Sequence, residues 1–189
     1  MAIERKTMIE EEVKKSTQVH INQVGLLIDR IIKELTSRLK HHDESKFSDE
    51  EWPIFTKYTA KLKDCTYGSE EYKKYLSEMK PALDHHYAAN RHHPEHFLMF
   101  ECNGCFKQYK SQVNVCDICG GSQFTERSDI SQMNLVDLIE MFCDWMAATK
   151  RHADGNIDSS IEKNKERFGY DEIMEQIFHN TAHLLKNSQ

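Results

Sequence analysis

The chain has 189 residues, enough for one well-packed domain and a small appendage. A charged fraction of 30%, a net charge of −6 and the lack of any apolar run near the ~18 residues of a membrane span argue against a membrane protein and a basic nucleic-acid binder. Only 3 prolines and 7 glycines favour a helix-rich fold. The charged N-terminus lacks the apolar core of a secretory signal, so we expect a cytoplasmic protein without membrane contact.

Apolar residues recur at helical spacing over residues 9–39 and predict one long amphipathic helix. Ser48 followed by Glu51 is typical of a capping box and predicts a second helix over 49–63. Proline is favourable at a first helical position, so Pro81 is predicted to begin a helix. The further predicted helices span residues 70–80, 81–90, 134–151, 157–167 and 171–186, with turns at 65–69 and 154–156. The aromatic residues predicted to lie in the core are Trp52, Phe55, Tyr58, Tyr72, Tyr75 and Trp145.

The segment 101–128 differs in composition, with four cysteines and short β-type runs. In a reducing compartment, two C-x2-C pairs indicate metal ligands before disulfides. Four thiolates complete the tetrahedral shell of a structural zinc ion, with iron as a rival, and leave no open position for catalysis. The predicted zinc ligands are Cys102, Cys105, Cys116 and Cys119. We favour a stapling role for this ribbon; the alternative is nucleic-acid binding through its few basic and aromatic residues.

Histidines and carboxylates cluster in HHDESK and DHHYAANRHHPEH, which hold seven of the eleven histidines. The pair His42-Asp43 offers the imidazole and carboxylate that Mn²⁺, Fe²⁺ and Zn²⁺ accept. If the helix from Pro81 continues far enough, His86, Asn90 and His93 share one face.

Asp137, Glu140 and Asp144 follow the same spacing among apolar neighbours, where carboxylates are costly to bury unless paired or metal-bound. Asp137 is the preferred candidate of the three. The alternative is that the histidines cap a helix end and Asp137 pairs with a buried histidine or arginine.

The strings HHDESK, NRHHPEHF and MNLVDLIEMFCDWMAA resemble those of a family of small bacterial and phage proteins of uncharacterised function. That family is in turn similar to the HD-domain metal phosphohydrolases, and the resemblance covers most of residues 17–150. It implies an all-α, HD-like helical bundle from residues 1–98 and 129–189, with the zinc ribbon inserted at 99–128. The first histidine of the HD pattern would be His20, which lies roughly 33 Å from His42 along a continuous helix, so we leave it out.

The resemblance implies metal-assisted hydrolysis of a small phosphorylated substrate, by family likeness a nucleotide. One or two divalent cations (Mn²⁺, Fe²⁺, Mg²⁺ or Zn²⁺) would be held by His42, Asp43, His86, His93 and Asp137. The predicted roles of the other residues are phosphate contact for Lys46, substrate binding for Asn90 and Arg91, and orientation of water or protonation of the leaving group by Glu95 or His92.

Two other classes of function stay open. One is a non-catalytic, zinc-containing module that binds protein or nucleic acid, with the histidines in a structural role. The other is a carboxylate-bridged di-iron enzyme, for which the chain lacks paired Glu-x-x-His motifs at the right places.

Overall fold

The structure is a computed structural model that describes residues 2–65, 69–150 and 155–187, with side chains described from residue 7. The chain divides into two compact units, residues 1–41 and residues 42–189. The predicted turns at 65–69 and 154–156 fall partly outside the described residues.

The first unit is one helix, α1 (Ala2–His41), which confirms the long predicted helix and extends it at both ends. Gly25 lies within this helix and does not interrupt it, since an isolated glycine lowers helix stability without ending the helix. Arg38, Lys40 and His41 lie in the last turn, where positive charge interacts favourably with the helix dipole.

The second unit is also mostly helical, and its helices follow the predicted ones closely. They are α2 (Trp52–Asp64), α3 (Glu70–Glu78), α4 (Lys80–Ala89), α5 (Leu135–Thr149), α6 (Ile157–Phe168) and α7 (Glu172–Lys186). Short 3₁₀ helices lie at Glu44–Phe47, Pro94–Phe97 and Ile130–Gln132. Within the described residues, no helix has both the length and the apolar character needed to cross a membrane.

Two of the differences from the predicted helix boundaries bear on the site. Helix α2 begins at Trp52, not at residue 49, and only half of the predicted capping box forms, with Ser48 Oγ accepting from the Glu51 N–H at 3.3 Å. The Glu51 carboxylate contacts His85 and His86 instead of completing the box. Helix α4 ends at Ala89 because Asn90 takes an extended conformation, so the predicted helical face shared with His93 does not form.

A three-stranded antiparallel sheet lies between α4 and α5 in the sequence. Its strands are β1 (Leu98–Cys102), β2 (Gln108–Tyr109) and β3 (Phe124–Ser128), in the order β2-β1-β3. Phe100 of β1 pairs with Tyr109 on one side and Glu126 on the other. Of the four cysteines predicted to form the ribbon, Cys102 ends β1, and Cys105, Cys116 and Cys119 lie in the loops between the strands.

The apolar core lies among α5, α6 and α7. Phe142 and Phe178 are almost fully buried and stack with ring centroids 5.1 Å apart. Trp145 packs against this core as predicted. The prediction for Trp52 is wrong: the residue is 51% exposed at the start of α2, where its ring packs against the exposed Phe47 with centroids 5.3 Å apart.

Ile161 of α6 is fully buried in this core, whereas Ile173 of α7 is 71% exposed. We expect Ile161→Ala to lower the free energy of unfolding by about 2–5 kcal/mol, because the substitution leaves a cavity. The control Ile173→Ala should change it by less than about 0.5 kcal/mol. Urea denaturation measures both, and equal losses would contradict the assigned core.

Candidate metal centre

Asp43 occupies an unusual backbone position just before the 3₁₀ helix Glu44–Phe47. Its φ of 58° and ψ of 17° are left-handed, a region that few residues other than glycine adopt but that aspartate tolerates better than most. Such conformations concentrate at functional sites, where the surrounding structure holds them. The Asp43 carboxylate is only 15% exposed and faces several histidines.

The first set of metal-ligand side chains, which we call the histidine group, consists of Asp43, His86, His92 and His93. One ligand atom from each lies within 4.8 Å of the others. Asp43 Oδ1 is 3.2 Å from His86 Nε2 and 3.4 Å from His92 Nε2, and the Nε2 atoms of His86 and His93 are 2.9 Å apart. Ligands bound to one ion at about 2.1 Å are separated by about 3.0 Å in octahedral and 3.4 Å in tetrahedral geometry. The observed spacings match these values.

Two ligand atoms of the histidine group are buried without a hydrogen bond. Among the residues that the structure describes, neither Asp43 Oδ1 nor His92 Nε2 has a partner with hydrogen-bond geometry, although the two atoms are close. A buried polar atom left unsatisfied costs roughly 1–3 kcal/mol, and more when it is charged. A single cation could satisfy both atoms.

The second set, which we call the carboxylate group, combines two overlapping triads of possible ligands, His42-Asp43-Asp144 and His42-His92-Glu140. His42 Nδ1 lies 3.0 Å from Glu140 Oε1, and His42 Nε2 lies 3.5 Å from Asp43 Oδ2 and 3.8 Å from Asp144 Oδ1. Glu140 and Asp144 come from adjacent turns of α5. Because Asp43 belongs to both groups, the arrangement could hold one ion or two.

The surrounding charges shift the pKa values of His42 and Asp43 in opposite directions. Asp144 and the hydrogen-bonded Glu140 raise the pKa of His42 to about 10, against the effect of burial. Burial by itself would raise the pKa of Asp43, but two nearby imidazoles and the Lys46 ammonium outweigh it and hold that pKa well below its usual range. At neutral pH this part of the site therefore pairs a protonated imidazole with ionised carboxylates.

His93 behaves differently from its neighbour His92. Burial, followed by the adjacent imidazoles, lowers the pKa of His93 to about 3, so its ring is neutral at physiological pH. Burial also acts to lower the pKa of His92, but interactions with Asp43 and Glu140 outweigh it and raise that pKa. A neutral imidazole keeps the lone pair that a metal ion requires.

Lys46, which is predicted to contact a phosphate, lies beside Asp43. Its Nζ is 2.5 Å from Asp43 Oδ2, and it also lies 5.5 Å from the centroid of the Phe55 ring. The side chain is 30% exposed. The ammonium therefore balances the Asp43 charge while keeping access to solvent.

Asn90 holds the loop after α4 in place and is less suited to the predicted substrate contact. Its amide donates to Ser45 Oγ at 2.7 Å and to the His86 carbonyl at 2.8 Å. Beyond the end of α4 the chain turns back, and His93 still contacts His86. His92, predicted to orient water or protonate the leaving group, lies buried among the possible metal ligands.

Asp137 lies outside both groups, which corrects its predicted place among the ligands. It forms a reciprocal capping box with Asn134: Asp137 Oδ2 accepts from the Asn134 N–H at 3.1 Å, and Asn134 Oδ1 accepts from the Asp137 N–H at 3.0 Å. Arg91 donates to both carboxylate oxygens, at 3.3 and 2.9 Å. The geometry thus favours the alternative of an arginine partner, although Arg91 is 42% exposed and only Asp137 is buried, and it engages the guanidinium that was predicted to bind substrate.

Glu95 also lies outside both groups. Its carboxylate forms an ion pair with Arg167. Within the described residues, the groups that could hold a metal ion near Asp43 include neither Glu95 nor Asp137.

The four cysteines of the ribbon lie together as their spacing predicts. Cys102 Sγ is 3.5 Å from Cys119 Sγ, and Cys105 Sγ is 3.4 Å from Cys116 Sγ. All six cysteines of the chain, which all lie in the described part, are free thiols. Tetrahedral zinc with bonds of about 2.3 Å separates sulfurs by about 3.8 Å, so a small expansion of this cluster could hold one ion.

Each of the two C-x2-C pairs ends in a turn, and the two turns have the same hydrogen-bond pattern. The Phe106 N–H donates to the Cys102 carbonyl at 2.8 Å, and the Gly120 N–H donates to the Cys116 carbonyl at 2.9 Å. Phe106 and Gly120 both have positive φ, 61° and 72°. Glycine adopts this conformation without strain, whereas phenylalanine does so at a cost, so the turn is imposed on the first pair by the cluster.

The site also includes residues that sequence reasoning assigned elsewhere or ranked lower. Glu51 and Ser45 contact His86, but the sequence pattern placed Glu51 in a helix cap and gave no signal for Ser45. Glu140 and Asp144 were weaker candidates than Asp137, and the shared helical spacing could not rank the three.

These features define a mostly helical protein with a small sheet, a cysteine cluster and two overlapping groups of histidines and carboxylates. The chain belongs to a family of unknown function (DUF5662), whose model matches residues 9–188. Comparison with curated proteins gives no match, and neither does comparison with solved structures.

Replacing Asp43 and Asp137 by asparagine, one at a time, distinguishes a metal ligand from a structural carboxylate. We expect Asp43→Asn to lose the metal that is not bound by the ribbon, because the carboxylate shared by both groups is gone. Asp137→Asn should retain that metal but lower the free energy of unfolding by about 1–3 kcal/mol, because the Arg91 bond is weakened. Elemental analysis and urea denaturation measure both quantities, and metal loss in Asp137→Asn alone would reverse the assignment.

The ribbon should bind its ion independently of the histidine group. We expect Cys116→Ser to remove one zinc per chain and to destabilise the sheet, because a structural zinc site contributes directly to folding. Metal bound near Asp43 should remain. Zinc content before and after substitution measures this, and simultaneous loss of all metal would show that the two sites depend on each other.

Proposed function

We propose that the protein is a metal-dependent phosphohydrolase of the HD-like type, acting on a small phosphate ester. The observation that carries this proposal is the histidine group, in which four ligand atoms lie at the spacing of a shared ion and two of them are buried without a hydrogen bond. The resemblance described for the sequence implies a nucleotide as the substrate class.

The donor set supports particular ions. Three imidazoles and one carboxylate suit Mn²⁺, Fe²⁺ or Zn²⁺ better than Mg²⁺, which prefers oxygen ligands. When bound, such an ion lowers the pKa of a water molecule and neutralises charge on phosphoryl oxygens. The Cys102, Cys105, Cys116 and Cys119 cluster supports a separate structural zinc, since four thiolates leave no open position.

The protein side chains around the group would position the substrate. Lys46 brings a positive charge beside Asp43 and is partly open to solvent, where an ammonium can bind a phosphate as a point charge. Asp43 directs Oδ1 to the histidine group and Oδ2 to the carboxylate group, so it can fix the positions of the two groups relative to each other. Glu140 bonds both His42 and His92 and thereby orients two rings of the site.

Phosphate release tests the proposal. Wild-type protein loaded with Mn²⁺, Co²⁺ or Zn²⁺ is assayed against nucleoside monophosphates and small sugar or alkyl phosphates. We expect hydrolysis of at least one ester, and a loss of at least about 100-fold in kcat/KM for Asp43→Asn, because removal of outer residues alone costs about 10–100-fold at metal sites.

Lys46→Ala provides the second arm of this test. We expect it to lower kcat/KM by roughly 10-fold or more without changing the metal content, whereas Lys80→Ala, which removes a surface ion pair with Asp84, should leave kcat/KM unchanged. If no ester is hydrolysed by the metal-loaded wild type, or if activity survives in Asp43→Asn, the proposal fails. The non-catalytic, zinc-containing binding module would then take its place.

A further inference from the structure

A buried carboxylate, that of Glu51, lies behind the histidine group. The residue is fully buried at the start of α2. Its Oε2 is 2.9 Å from His86 Nδ1, and its Oε1 is 2.7 Å from His85 Nδ1. A buried carboxylate is costly unless it is paired and hydrogen-bonded, so these two imidazole contacts are what make the position tolerable. The positive end of the α2 dipole also favours negative charge there.

The two ring nitrogens of His86 face different surroundings. Nε2 faces the histidine group, 3.2 Å from Asp43 Oδ1 and 2.9 Å from His93 Nε2. Nδ1 faces Glu51. A neutral imidazole carries one hydrogen, on either nitrogen. Nε2 can bind a cation only if that hydrogen is on Nδ1.

Two other groups lie close enough to Nδ1 to influence where the hydrogen goes. Ser45 Oγ and Asn90 Nδ2 are each 3.1 Å from His86 Nδ1. The Asn90 amide has two N–H bonds, and both are used, on Ser45 Oγ at 2.7 Å and on the His86 carbonyl at 2.8 Å. The Ser45 hydroxyl is therefore the one competing donor of the pair, and a bond from it to Nδ1 would leave the ring hydrogen on Nε2.

Two carboxylates compete for the ring hydrogen, Asp43 at Nε2 and Glu51 at Nδ1. Asp43 Oδ1 is 3.2 Å from Nε2 without hydrogen-bond geometry, whereas Glu51 Oε2 is hydrogen-bonded to Nδ1 at 2.9 Å, so the geometry favours Glu51. An ionised carboxylate can only accept hydrogen bonds, and a charge-assisted bond is roughly twice as strong as a neutral one. We infer that Glu51 is a positioning residue, whose carboxylate keeps the ring hydrogen of His86 on Nδ1 and so turns the Nε2 lone pair toward the histidine group. The inference rests on the proposed function in one respect, because the lone pair matters only if an ion binds there.

The tautomer can be measured on the metal-free full-length chain, so it does not depend on ion binding. Protein labelled with ¹⁵N-histidine gives the protonation of each ring nitrogen of His86 by NMR. We expect a hydrogen on Nδ1 in the wild type and on Nε2 in Glu51→Gln, because the amide of glutamine can donate to Nδ1. A wild-type His86 with its hydrogen on Nε2 would overturn the inference without any variant.

Ion affinity provides the functional readout. Co²⁺ titration of the site outside the ribbon, followed by its visible absorption, should show affinity about 10–100-fold weaker in Glu51→Gln than in the wild type. The matched control Glu70→Gln, which changes an exposed carboxylate paired with Lys73, should bind Co²⁺ with the affinity of the wild type. Far-UV circular dichroism establishes that each variant is folded.

The outcomes separate this inference from the proposed function. Unchanged Co²⁺ affinity in Glu51→Gln overturns the role of Glu51 and leaves the proposed function standing. If the wild type binds no ion outside the ribbon, the proposed function fails, and the role of Glu51 in ion binding fails with it.

Discussion

The packing of the second unit around its histidines depends on the Asp43 carboxylate, which is largely shielded from water. An ionised carboxylate in a poorly solvated position needs positive or hydrogen-bonding partners, and the chain supplies them from segments far apart in sequence. Lys46 comes from the adjacent 3₁₀ helix, His86 from α4 and His92 from the loop that follows α4. The packing of these segments therefore depends on the charge of the Asp43 carboxylate.

The partners of Asp43 are themselves ionisable, and this shapes the chemistry of the site. His42 is protonated at neutral pH because Asp144 and Glu140 stabilise its charge, whereas burial beside other imidazoles keeps His93 neutral. Pairs of groups whose pKa values are driven apart are typical of functional sites, although structural ion-pair networks do the same. What distinguishes this cluster is Asp43 Oδ1, which lies 3.2 and 3.4 Å from the Nε2 atoms of His86 and His92 but forms a hydrogen bond to neither.

Much of the fold could be predicted from the sequence, because helix periodicity and cysteine spacing are local signals. The long helix α1, the six helices of the second unit within the described residues and the cysteine cluster all correspond to such signals. The roles of Asp137 and Glu51 could not be predicted. Asp137 is distinguished from Asp144 by Arg91, which lies 46 residues away in the chain, and Glu51 is distinguished from a capping residue by His86, 35 residues away. Contacts between residues so far apart in the chain cannot be inferred from a local sequence pattern.

Anomalous diffraction from crystals of the wild-type protein grown with Mn²⁺ and Zn²⁺ would locate each bound ion. We expect one zinc peak among the four ribbon sulfurs and a further peak within bonding distance of Asp43 Oδ1 and the Nε2 atoms of His86, His92 and His93. A peak among the sulfurs alone, with Asp43 Oδ1 bonded to an imidazole N–H or to water, would contradict this expectation.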